Sequence, residues 1–148
     1  MIKIDVDLDG LPLQEKMNGY EVVPNFHIKN FDNDKTFYTD SNGLEMQKRV
    51  QDYRPTWNLH TSQKVTDNYY PINTAISLKD VGSTRQFTVM NDRSQGGTSI
   101  APGTIELMQN REAPSDDFKG VGEPLRETNE YGKGIRVKAT YYVQICDG

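Results

Sequence analysis

The longest run of strict alternation in the chain ends it: Ile135, Val137, Ala139, Tyr141, Val143 and Ile145 occupy every second position. A period of two sends all six side chains to one face of an extended strand, and no helix accommodates it. The same pattern opens the chain, where Ile2, Ile4, Val6 and Leu8 alternate with Lys3, Asp5 and Asp7. It recurs at Tyr70, Ile72, Thr74, Ile76 and Leu78. Shorter β-branched or aromatic runs at 20–28, 36–39, 86–90 and 104–108 are also expected to be strands. The stretch 45–53 has helix-favouring Glu, Met, Gln and Lys, yet it fits best as a strand between its neighbours. Asn18-Gly19, Asn42-Gly43, Gly96-Gly97 and Pro102-Gly103 are turn signals. No stretch carries a 3.6-residue apolar repeat capped at both ends. The expectation is all-β, an antiparallel β-sandwich, with residues 1–148 forming one domain.

Composition narrows the partners. Apolar residues make up 34% of the chain, as expected of sheets with a solvated face or of a piece lacking its neighbours. The net charge of −4 and the absence of a basic block argue against nucleic acid. The densest positive cluster, Lys48-Arg49 with Arg54, is interrupted by Asp52 and reads as a solvated strand face. No apolar run approaches a membrane span, and the first residues do not read as a signal peptide. Cys146 is the only cysteine, so no internal disulfide forms.

One segment breaks the strand–turn rhythm. From Glu112 to Gly134 the chain is polar, rich in Gly and Pro, and without alternation. Loops this long in compact domains are usually functional or disordered. Asp116-Asp117 within it, and Asp32 with Asp34, are the carboxylate pairs that glycoside hydrolysis could use, but adjacent acids in polar loops serve first as turn formers. His27 and His60 are too isolated to make a zinc site, and no metal site is expected. Ser94-Gln95-Gly96-Gly97 fits an anion-binding backbone or a tight hairpin equally well. Tyr38, Tyr53, Trp57, Tyr69 and Tyr70 could stack on sugars or fill the core.

Several phrases in fixed order add a family. Phe37-Tyr38-Thr39-Asp40-Ser41-Asn42-Gly43, Asp52-Tyr53-Arg54-Pro55-Thr56-Trp57, Asn68-Tyr69-Tyr70-Pro71 with Asn73, and Asp92-Arg93-Ser94-Gln95-Gly96-Gly97 stand in sequence. Gly103-Thr104-Ile105-Glu106-Leu107-Met108, Asp116-Asp117 and Gly120-Val121-Gly122-Glu123-Pro124-Leu125 follow. Over residues 37–125 this series resembles glycoside hydrolase family 38 α-mannosidases of the lysosomal type, in their C-terminal β-rich half.

The resemblance implies a galactose mutarotase-like sandwich standing behind an N-terminal catalytic domain of the same polypeptide. It implies a retaining hydrolase of terminal α-mannose on glycoprotein glycans, located in the lysosome, vacuole or secretory pathway. The nucleophilic aspartate, and a zinc ion held by two histidines and two aspartates, belong to the catalytic domain, so this stretch should hold no cofactor and be inactive alone. It also implies one substrate-binding residue: Arg111 stands where an arginine reaches from the sandwich toward the mannose pocket, with Asp116 and Asp117 supporting the loop. The sequence departs from the family in having Glu112 after Arg111, where a second basic residue is common, and Lys119 in place of arginine. An Arg111 that only pins the loop through Asp116 or Asp117 is the competing role. A carbohydrate-binding or interaction module without catalysis is the competing function.

Overall fold

The computed structural model describes residues 1–13 and 19–147. Twelve strands account for its regular structure, apart from a 3₁₀ turn at Thr66–Asn68. They are β1 (Ile2–Leu8), β2 (Tyr20–Val22), β3 (Asn25–His27), β4 (Thr36–Ser41), β5 (Glu45–Val50) and β6 (Tyr70–Ile72). Then come β7 (Ala75–Lys79), β8 (Arg85–Asn91), β9 (Gln95–Thr98), β10 (Thr104–Leu107), β11 (Asn110–Glu112) and β12 (Val137–Asp147). All pairings are antiparallel. A six-stranded sheet in the order β1-β12-β8-β7-β4-β5 packs on a four-stranded sheet in the order β3-β10-β9-β6, and β11 pairs with β2 alone.

The core lies between the two larger sheets. Phe37, Ile76, Leu78, Phe87, Val89 and Tyr141 from the first meet Tyr70, Ile72, Ile105 and Leu107 from the second, all buried. Each such aliphatic or aromatic side chain contributes about 1.5–3 kcal/mol by leaving water. Tyr141 brings a hydroxyl inside with its ring. That hydroxyl accepts from Gln95 Nε2 at 2.9 Å and donates to Gln109 Oε1, so the polar end is satisfied.

Two of the expected strands are each divided between sheets. The run Tyr70–Leu78 becomes β6 in the four-stranded sheet and β7 in the six-stranded one, and the chain crosses at Asn73-Thr74. Alternation survives on both sides of the crossing because both strands face the same core. The run 20–28 is divided at Val23-Pro24, since proline has no N–H to donate to a ladder.

Gly96-Gly97 is strand rather than turn. It lies inside β9, where a Cβ on Gly97 would stand 2.1 Å from Ile72 Cδ1 and 2.7 Å from Leu107 Cδ2. The glycine is there for close packing. Asn42-Gly43 does turn the β4–β5 hairpin, with φ of 51° and 71°, the left-handed pair that such a turn requires. Pro102-Gly103 also turns, with Thr104 N–H on the Ala101 carbonyl at 3.1 Å. Of Asn18-Gly19, Asn18 lies outside the described residues. The 45–53 stretch forms strand only as far as Val50. Between β11 and β12 no strand forms, and the isolated bridge Thr128↔Gly134 is the one ladder contact there among the described residues.

Candidate functional site

A groove of about 630 Å³ runs along the four-stranded sheet. Its floor comes from β6, β9 and β10, where Tyr70, Gly96 and Glu106 line it, and its wall from Gln63, Val65 and Thr66. Arg111 of β11 also lines it, with its guanidinium Nε 2.9 Å from Glu21 Oε1 of β2. Both side chains are about half exposed, so the pair holds the guanidinium in place more than it stabilises the fold.

Inside the groove Tyr69 donates its hydroxyl to Glu106 Oε1 at 2.5 Å. Burial, reinforced by the Glu106 carboxylate, pushes the Tyr69 phenol well above the usual tyrosine range. It stays protonated and acts as a fixed donor. Tyr70 packs edge-on to Phe37 at 5.6 Å and carries two guanidinium groups near its ring, Arg49 at 4.3 Å and Arg54 at 4.6 Å.

The carboxylate pairs make turns. Asp32 Oδ1 accepts the Asp34 N–H at 2.9 Å. Asp116 Oδ1 accepts from Phe118 N–H, and Asp117 Oδ1 from Lys119 N–H at 3.0 Å. Phe118, 90% exposed, has a φ of 58° that bulky residues avoid. The partner of Arg111 is therefore Glu21 rather than Asp116 or Asp117. The loop is closed at its neck, where Ala113 N–H meets the Leu125 carbonyl at 2.8 Å and Arg126 Nε lies 3.3 Å from buried Glu112 Oε1.

His27 Nδ1 bonds Thr104 Oγ1 at 3.0 Å, and His60 is exposed on the 51–65 segment. No three of His, Cys, Asp and Glu come together as metal ligands among the described residues. Of the aromatics, Tyr69 and Tyr70 line the groove, Tyr53 and Trp57 are exposed elsewhere on the surface, and Tyr38 lies beneath Lys79. Lys48 is solvated, whereas Arg49 and Arg54 pack over Tyr70.

The distinctive phrases of the sequence meet one another in space. Buried Asp40 accepts the backbone N–H groups of Asn73 (2.8 Å), Thr74 (2.9 Å) and Ala75 (3.3 Å) on Oδ1, and that of Gly43 (2.9 Å) on Oδ2. Asn73 reaches Asn42, and Ser94 donates to Asn73, both at 2.8 Å. Asn68 and Asp52 bond reciprocally at 2.8 Å. The Asp40, Asn42 and Ser94 bonds hold the crossing between sheets, and the Asn68–Asp52 pair ties the segment before β6 to the end of β5. Glu21, Gln63 and Glu106, which the sequence reading passed over, line the groove. Glu106 carried the one available signal, a lone carboxylate in the otherwise apolar alternation of 104–108.

The sequence profile described as Glycosyl hydrolases family 38 C-terminal domain matches residues 2–119. A human lysosomal α-mannosidase is 45% identical over 125 residues, which is 84% of this chain and 12% of that protein. An α-mannosidase of Canavalia ensiformis is 47% identical over 116 residues, 75% of this chain and 12% of that protein. A probable α-mannosidase of Arabidopsis thaliana is 39% identical over 147 residues, 97% of this chain and 14% of that protein. The chain thus spans roughly an eighth of the length of these relatives.

Proposed function

Since the chain belongs to the glycosyl hydrolases family 38 C-terminal domain, we propose that it is the β-sandwich domain, residues 1–148, of an α-mannosidase acting on terminal α-mannose of glycoprotein glycans. Its polypeptide works in the lysosome, vacuole or secretory pathway, in keeping with the lysosomal relatives. Cleavage proceeds with retention on an N-terminal catalytic domain of the same polypeptide. Zinc would be held in that domain, where it would contact the sugar hydroxyls.

The part this chain plays is to hold the catalytic domain's shape and to complete the rim of its pocket with Arg111. The observation that carries this reading is the placement of Arg111: a half-exposed guanidinium lining a groove, oriented by Glu21 through Nε, with no other side-chain partner among the described residues. The loop closed by Asp116, Asp117 and the Glu112–Arg126 neck presents Phe118 and Val121, and Tyr131 follows beyond the neck, each more than three-quarters exposed. Apolar groups so displayed are what an adjoining domain would cover.

The test is made in the full-length enzyme. Arg111→Ala should lower kcat/KM by about one to two decades, the worth of a charge-assisted hydrogen bond of about 1.5–3 kcal/mol. Arg111→Lys should recover part of it, since the planar fork is lost. Glu21→Gln separates the two roles of the arginine. If Arg111 only ties β11 to β2, Glu21→Gln reproduces the full loss. Unchanged kcat/KM in Arg111→Ala removes the substrate role.

A further inference from the structure

Burial on the core face of the six-stranded sheet falls away toward β1. Ile76, Val89, Val143 and Ile2 stand side by side across β7, β8, β12 and β1, and their exposures are 0, 0, 9 and 63%. In the next row Leu78, Phe87 and Ile145 run 0, 2 and 55%. Ile4, opposite fully buried Tyr141, is 36% exposed. The alternation of β1 aims these side chains inward, yet the inside is open there.

The cause lies in the opposing sheet. Phe26 of β3 packs on Tyr141 of β12 at 5.2 Å, and Tyr70 of β6 packs on Phe37 of β4 at 5.6 Å. The four-stranded sheet therefore reaches from β4 to β12, and β3 is its last strand. Among the described residues no strand lies beyond β3 to cover β1. That edge of β3 has no strand partner among the described residues. The bonds Leu107 N–H to Pro24 O (3.2 Å) and Ile28 N–H to Gly103 O (3.0 Å) set which positions face β10. By the antiparallel alternation, the backbone N–H and C=O of Asn25 and His27 point the other way, to the open edge.

We propose that a further strand adds to β3 at this edge and covers Ile2, Ile4 and Ile145, and that the same polypeptide supplies it from outside these 148 residues. The occupant is an extended segment with apolar side chains at alternate positions, paired through its backbone to Asn25 and His27. The relatives point to its source: this chain corresponds to 14% or less of their lengths, so most of such a polypeptide lies outside it. A covalently joined strand is present at high effective concentration, which favours it over a separate molecule. The proposal rests on the reading above that the chain is part of a longer polypeptide, and not on that polypeptide's catalytic activity.

Hydrogen–deuterium exchange on the full-length polypeptide, resolved to single amides, tests it. The amides of Asn25 and His27 are expected to exchange at least about 100-fold slower than in an unstructured peptide, at every protein concentration. Ile2→Asp with Ile145→Asp should speed both, and Ile2→Ala serves if the double variant does not fold. Exchange of these amides at the unstructured rate in the unmodified protein would overturn the added strand. Protection that appears only as protein concentration rises would instead assign the face to a second copy, and would overturn the intramolecular source. Hydrolysis of an aryl α-mannoside by the same preparation reports separately on the proposed activity.

Discussion

Asp40 takes four backbone N–H groups on one carboxylate and stands where the chain passes from one sheet to the other. Burial pushes its carboxyl up, but the N–H groups of Thr74, Gly43, Ala75 and Asn73 outweigh this and hold it below the usual carboxylate range. Asp40→Asn replaces one acceptor oxygen with a donor that must face those N–H groups. The variant should lose about 1–3 kcal/mol of stability, read from urea unfolding with an unchanged m-value. A loss under about 0.5 kcal/mol would mean that the crossing is held by the strands alone. Asp80 is lowered likewise, by hydrogen bonds from Ser83 and Arg85 and from the Asp32 N–H, and it secures the β7–β8 turn against Asp32.

At the scale of elements, β9 depends on having no side chain at Gly97. Gly97→Ala drives a methyl into Ile72 and Leu107, both fully buried, so the expected cost is about 1–3 kcal/mol in the same unfolding experiment. A neutral result would show that the Ile72 and Leu107 side chains shift easily at this point. The 113–125 loop depends on its neck instead. Glu112→Ala removes the buried carboxylate facing Arg126 and should speed proteolytic cleavage within the loop, while cleavage elsewhere stays unchanged. Cleavage that is uniform, or no faster than before, would place the loop's order in Asp116, Asp117 and the Ala113–Leu125 bond.

For the molecule as a whole, these groups set a pH window. Asp40 and Asp80 have lowered folded-state values, so their contribution is complete above the unfolded carboxylate value of about 4 and is lost as pH falls through the folded ones. Tyr69, Tyr70 and Tyr141 are raised, chiefly by burial, so their contribution is complete below about 10 and is lost as pH rises through the folded values. Stability should hold level between those limits and fall at both ends. In Asp40→Asn the acid slope should be shallower, and an unaltered slope would count against the carboxylate's role. The 148-residue chain alone is expected to leave an aryl α-mannoside intact with or without zinc. Turnover that persists after host mannosidase is removed would contradict this and would direct attention to Asp116 and Asp117.

The strands themselves were legible in the residues, because period-two alternation reports which face meets the core; Ile2–Leu8, 86–90 and 104–108 needed nothing more, whereas the 135–145 run forms strand only from Val137, with Ile135 outside it. The hairpin at Asn42-Gly43 was legible too, since few residues tolerate two positive φ angles in succession. Which sheet each strand joins was not. Alternation is identical on both sides of a shared core, so Tyr70–Leu78 reads as one strand until Asp40 gathers the N–H groups at its middle. Gly96-Gly97 reads as a turn until Ile72 and Leu107 press on it from neighbouring strands. Arg111 was singled out by the family resemblance, but its partner Glu21 is ninety positions earlier, and only the pairing of β2 with β11 brings them together. A local pattern states what a residue does to its own backbone and which way it points. What it points at is decided by sheet order, which depends on contacts far apart in the chain.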